Sequence, residues 1–111
     1  MSDQISREIL LAFWKIHILH HAAEQPIYGQ WLLEELRRHG LIVSPGTLYP
    51  LLSRMEQQGW LRPLRNDAPR AATARRRLEL TAKGRRVLTR LRHQVDELHR
   101  EVVREASHKR K

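Results

Sequence analysis

The chain of 111 residues has room for one domain and one core, not two. It carries 21 Lys and Arg against 12 Asp and Glu, a net charge of +9, and no cysteine, which excludes disulfides, thiolate catalysis, iron–sulfur clusters and sulfur-bound zinc. With 41% hydrophobic residues, no run long enough for a membrane span and no signal-peptide pattern at the start, we expect a folded cytoplasmic protein whose partner is a polyanion.

Ile5, Ile9, Phe13, Ile16 and His20 recur at helical spacing, and Leu10, Trp14, His17 and His21 form a second stripe. This predicts a first helix over about 3–23 that is apolar around much of its circumference and needs cover on two sides. Pro26 and Tyr28-Gly29 interrupt the pattern. It resumes over Gln30–Arg38, with Leu32, Leu33 and Leu36 inward and Gly40 as the stop.

The third helix has the clearest start. Ser44 suits an N-cap, Pro45 suits the first helical position, and Val43 can staple onto Leu48. Leu48, Leu51, Leu52 and Met55 make one apolar face that ends at Gly59. Gly46, Pro50, Ser53 and Gln57 make the opposite one, flanked by Tyr49 and Arg54. Pro50 removes a bond to the Gly46 carbonyl and crowds it, at up to about 3 kcal/mol in a regular helix, so we expect a distorted first turn.

Trp60–Arg65 reads as a short strand that Pro63 confines to an edge, and Arg75–Leu80 as the returning strand, with Arg76, Leu78 and Leu80 on one face and Arg75, Arg77 and Glu79 on the other. Thr81 then caps a last helix to about Ala106, before a polar tail. The positive charge belongs to this second half. Residues 62–82 hold six arginines against Asp67 and Glu79, whereas residues 1–40 carry a net charge of −1.

Three helices followed by a basic hairpin is the order of a winged helix-turn-helix. In that arrangement the third helix enters the major groove and the hairpin reaches flanking phosphates. The fold class is therefore mainly α with a small β-hairpin wing: a winged helix-turn-helix DNA-binding domain over 1–80, a dimerisation helix over 81–106, and a disordered basic tail over 107–111. The run Ser44-Pro-Gly-Thr-Leu-Tyr-Pro-Leu-Leu-Ser-Arg-Met-Glu-Gln-Gln-Gly59 resembles the recognition-helix signature of the PadR family of bacterial transcriptional regulators. Tyr28-Gly29 and Leu80-Thr-Ala-Lys-Gly84 stand where that family has similar residues, and the resemblance extends over about residues 8–90. It implies a homodimeric repressor that is released from a palindromic operator by a small molecule, in the short-tailed branch of the family. Two departures are that Leu78 and Glu79 stand where many relatives carry aromatics, and that the last helix lacks aromatics.

The DNA-contact candidates are Tyr28, Ser44, Gly46, Thr47, Tyr49, Pro50, Ser53 and Arg54, with Arg65, Arg70, Arg75 and Arg77 from the wing. Arg62 and Arg76 add to the wing's charge. Leu88, Val95 and Val102 at a positions and Leu91 and Leu98 at d positions favour a two-stranded contact. A helix of some 25 residues spans roughly 37 Å and outruns a small three-helix core. Ile9 and Phe13 of the first helix complete the dimer surface.

Trp14, Trp31 and Trp60 suit core or interface positions, or an aromatic-lined pocket between the dimer helices for a small hydrophobic or aromatic effector. His17, His20 and His21 have helical ligand spacing, but no carboxylate motif joins them, so we expect packing or solvent-facing roles, with no metal and no cofactor. No nucleophile elbow, phosphate loop or carboxylate pair suggests an enzyme, and the wing strands offer only Trp60 for stacking RNA bases. The alternative reading is a dimeric protein-interaction adaptor built on a winged helix without specific DNA binding.

Overall fold

The computed structural model describes residues 2–64 and 76–105, with side chains from Glu8 onward. Helices α1 (Ser2–Glu24), α2 (Gly29–Arg38) and α3 (Pro45–Gln57) come first, then strands β2 (Leu61–Pro63) and β3 (Arg77–Leu80), then α4 (Ala82–Leu98). A two-residue strand β1 (Ile27–Tyr28), which the sequence pattern does not predict, lies between α1 and α2. The sheet is therefore three-stranded and antiparallel, in the order β1-β3-β2, rather than a plain hairpin. Ile27 faces Leu78 and Leu61 faces Leu80 across it, and β2, with Pro63, is at an edge as expected.

The core is one cluster to which every helix contributes: Trp14, Ile18, Leu19 and Ala22 of α1, Leu32 and Leu36 of α2, Leu48, Leu51, Leu52 and Met55 of α3, and Leu88 of α4. Ile27, Leu61 and Leu78 close it from the sheet, and Val43 and Leu48 are both buried in the positions of a hydrophobic staple. The second face of α1 stays uncovered, with Ile9 54% and Phe13 48% exposed. No helix among the described residues is long and apolar enough to cross a membrane.

Both helices of the helix-turn-helix end on a glycine with φ of +81°, where an L side chain would be strained. After α2, Gly40 N–H donates to Arg37 O and Leu41 N–H to Leu36 O. After α3, Gly59 N–H donates to Glu56 O and Trp60 N–H to Met55 O. This paired pattern satisfies the last carbonyls and sets the exit angle of each helix. α3 runs unbroken through Pro50. Its first turn is tightened rather than kinked, because Ser44 O accepts from both Thr47 N–H and Leu48 N–H.

α4 starts as predicted, with Thr81 Oγ1 accepting from Gly84 N–H at 2.9 Å. Its first turns pack into the core through Gly84, Val87, Leu88 and Leu91, and residues 92–105 are exposed throughout. The end of the helix departs from expectation: His99–Glu105 form wider π-helical turns, so heptad counting does not carry through to Val102. Leu88 is also corrected. It is 1% exposed within its own chain and is a core residue, not part of a surface open to a partner.

Candidate nucleic-acid interface

α3 divides its residues cleanly. Leu48, Leu51, Leu52 and Met55 are buried, whereas Ser44, Gly46, Pro50 and Arg54 are exposed and Thr47 and Ser53 half-exposed along the outer face. Small side chains dominate that face, so a groove wall can approach the backbone closely. Ser44 holds the N-cap position by its backbone, but its hydroxyl donates to Thr47 Oγ1 at 3.2 Å instead of capping an amide.

Tyr49 is half-buried where α2 and α3 meet. A Cβ added at Gly29 would come within 2.5 Å of Tyr49 Cε1, so the ring rests on the bare first turn of α2. Tyr28 is 43% exposed and lies directly opposite Arg77 across the β1–β3 ladder, which brings two of the predicted contact residues side by side. Arg65, Arg70 and Arg75 lie outside the described residues.

The remaining wing arginines have distinct surroundings. Arg76 Nη2 donates to Glu56 Oε2 at 2.6 Å, with both side chains largely covered, which latches the root of the wing onto α3. Arg76 is thus structural, a correction to its place in the phosphate-facing cluster. Arg62 faces solvent and pairs with Glu79 at 2.8 Å.

A groove of about 450 Å³ separates α1 from the outer half of α4. Ile16, His17, His20, Leu88, Arg92, Val95, Asp96 and His99 line it, with no tryptophan, tyrosine or phenylalanine among them. Trp14 is in the core, Trp31 stacks edge-on against His21, and Trp60 follows α3.

Beside the groove, imidazoles and carboxylates gather from α1, α2 and the turn after it. His17 lies 6.2 Å from His21 and 5.9 Å from His39, ring centre to ring centre. Glu35 Oε2 is 3.1 Å from His39 Nε2 and 3.8 Å from His21 Nε2, and its other oxygen takes Arg38 Nη1 at 3.0 Å. Burial, then the neighbouring His21, His39 and His20, hold the His17 pKa below its ordinary value. The hydrogen bond from His39 is the main cause that lowers the Glu35 pKa, with Arg38 adding to it. Sequence spacing singles out His17, His20 and His21 but not Glu35 and His39, which reach the cluster only through the packing of α2 on α1.

A helix-turn-helix braced by a three-stranded sheet, with an open polar face on its second helix, defines a winged-helix DNA-binding regulator. The profile of the transcriptional regulator PadR-like family matches residues 18–90, and the chain belongs to that family. It is 46% identical over 102 residues to transcriptional regulator Rv3488 of Mycobacterium tuberculosis (strain ATCC 25618 / H37Rv), covering 92% of this chain and 94% of that one. The fold is similar to that of a PadR-like transcription factor from Bacteroides fragilis, with a TM-score of 0.72 and 26% identity over 89% of this chain and 95% of the other. It is also similar to a PadR-like transcriptional regulator from Bacillus cereus, with a TM-score of 0.74 and 25% identity over 86% and 92% of the two chains.

Proposed function

We propose that the chain acts in the cytoplasm as a homodimeric repressor, that two copies of α3 read the half-sites of a palindromic operator, and that a small molecule releases it. The observation that carries this reading is the division of α3 into a buried apolar face and an open polar face, beside a helix α4 whose residues from Arg92 onward are exposed and leave Val95 and Leu98 outside the core. A single recognition helix reads only a few base pairs, and a two-fold pair reads two half-sites about one helical turn apart. Tyr28, Ser44, Gly46, Thr47, Tyr49, Pro50, Ser53 and Arg54 form the reading surface. Arg77, with Arg65, Arg70 and Arg75, supplies the flanking charge.

The test begins with footprinting on the DNA upstream of the protein's own gene, followed by affinities for the protected site and for random duplex at one salt concentration. Tyr49→Ala should cost the operator roughly 1–3 kcal/mol and random duplex much less. Gly29→Ala, which displaces the same ring without removing it, should show the same sign with a smaller loss. Equal losses on both duplexes would take Tyr49 out of the specificity set. Absence of any preferred site would favour a protein-interaction adaptor.

The wing should act as a charge term. Replacing Arg75 and Arg77 with alanine should weaken all duplexes alike and lower the slope of log affinity on log salt by about 0.9 per lost phosphate contact, roughly two in all. An unchanged slope would place the wing away from the backbone.

A further inference from the structure

We infer that His20, His21 and Glu24, on the last turn of α1, form a binding site for a borderline divalent transition-metal ion such as zinc. One imidazole nitrogen from each histidine and the Glu24 carboxylate lie within 4.8 Å of one another. His20 Nε2 to Glu24 Oε2 is 3.5 Å and His21 Nδ1 to Glu24 Oε1 is 3.6 Å. Ligands of a tetrahedral ion at 2.0–2.2 Å stand about 3.4 Å apart, so each histidine is already near that spacing from one or the other Glu24 oxygen, and three single ligand atoms close from separations of up to 4.8 Å.

The ring of His21 is the second observation. It is 9% exposed, and its Nε2 has no hydrogen-bond partner. The group nearest to hand is Glu35, a little beyond bonding distance and itself held by His39 and Arg38. A metal-bound histidine characteristically directs its other N–H to a carboxylate, which fixes the tautomer. With the proton on Nε2 toward Glu35, the Nδ1 lone pair faces the Glu24 carboxylate, acceptor against acceptor, and a cation between them resolves the conflict. Two imidazoles and one carboxylate, without sulfur, select a borderline ion over calcium or magnesium, which take oxygen. The C-terminal turn of a helix also favours positive charge.

Occupancy has a consequence for α4. Arg92 Nη2 contacts His20 Nδ1 at 3.2 Å, and arginine only donates, so this contact holds His20 with its proton on Nε2. Ligation through Nε2 requires the proton on Nδ1, where it opposes the guanidinium. Metal binding therefore breaks the Arg92 tie between α1 and the helix proposed to make the dimer.

The experiment is calorimetric titration of chelator-treated, full-length protein with zinc, alongside long-range nitrogen spectra of its histidines. We expect one ion per chain, with shifts at His20 Nε2 and His21 Nδ1. Glu24→Gln, at an exposed position, should weaken binding about tenfold or more while leaving the metal-free melting temperature unchanged; outer-sphere losses alone commonly reach 10–100-fold. Arg92→Ala should tighten binding, whereas Arg90→Ala, removing an equal charge from the same helix, should have a smaller effect. Absence of saturable binding, affinity indifferent to Glu24→Gln, or nitrogen shifts confined to other histidines would each overturn the assignment. These readouts need no DNA, so they stand or fall separately from operator recognition.

Discussion

Leu98→Asp should yield a folded monomer that no longer distinguishes a palindromic operator from random duplex. Leu98 is 55% exposed, on the part of α4 that extends past the core, in line with half-exposed Val95 and near the exposed Val102 and Val103. Leu91, Val95, Leu98 and Val102, with Ile9 and Phe13 of α1, form the proposed contact between copies. Burying such side chains contributes roughly 1.5–3 kcal/mol each. An aspartate in a symmetric seam places an uncompensated charge on both chains, a penalty larger than the lost contact. The domain itself does not use Leu98, so its melting should stay cooperative. Weak, salt-sensitive association with random DNA should persist, because the arginines are untouched. Sedimentation checks the outcome. A stable dimer of the variant would transfer the interface to the Ile9–Phe13 face.

The second large effect concerns the junction where α3, the wing and α4 meet. Thr81 Oγ1 donates to Gly59 O, Thr81 N–H donates to Trp60 O at 3.0 Å, and Gly84 N–H returns to Thr81 Oγ1. A Cβ at Gly84 would overlap the Trp60 carbonyl and lie 2.7 Å from Leu80 Cδ1. The carbonyl cannot yield without giving up its bond to Thr81. Gly84→Ala should therefore destabilise the domain by about 3 kcal/mol, combining overpacking with strained hydrogen bonds. At 4–8 °C per kcal/mol in a small domain, that is a fall in melting temperature of roughly 12–24 °C. Gly46→Ala is the control. Only Ser44 Oγ, at 3.8 Å, is near its added methyl, so stability should hold or rise slightly. Equal melting of the two variants would show that the junction accommodates a side chain.

The parts legible in the sequence are those set by neighbouring residues. Ser44-Pro45 marks the start of α3, Gly40 and Gly59 mark the two stops, and Thr81 marks the start of α4, because caps are chosen within a turn of the chain. The apolar faces of α2 and α3 and the open face of α1 follow from periodicity. What depended on long-range packing was not legible. Ile27–Tyr28 is a strand only because β3 comes to lie beside it. The arginines at 76 and 77 differ in role because alternation turns one toward Glu56 on α3 and the other toward Tyr28. The heptad of α4 continues evenly through Leu88, but periodicity does not say where the core stops. The carboxylates near His21 were missed for two reasons: Glu35 arrives from another helix, and Glu24 is alone in its turn, outside any familiar ligand string.

The central position of β3 in the sheet bears on how the chain folds. Its partners are Ile27 on one side and Leu61 to Pro63 on the other, so the strand that joins the two edges is made about fifty residues after the first of them. Contacts this distant in sequence close late, since the entropy of the intervening loop opposes them until native packing compensates. During synthesis, α1 to α3 leave the ribosome with their apolar faces unsealed, and they wait for Leu78 and Leu88 to emerge before the core is whole. The amides of central β3 should accordingly exchange with solvent more slowly than those of the edge strand β1, whose Tyr28 is exposed.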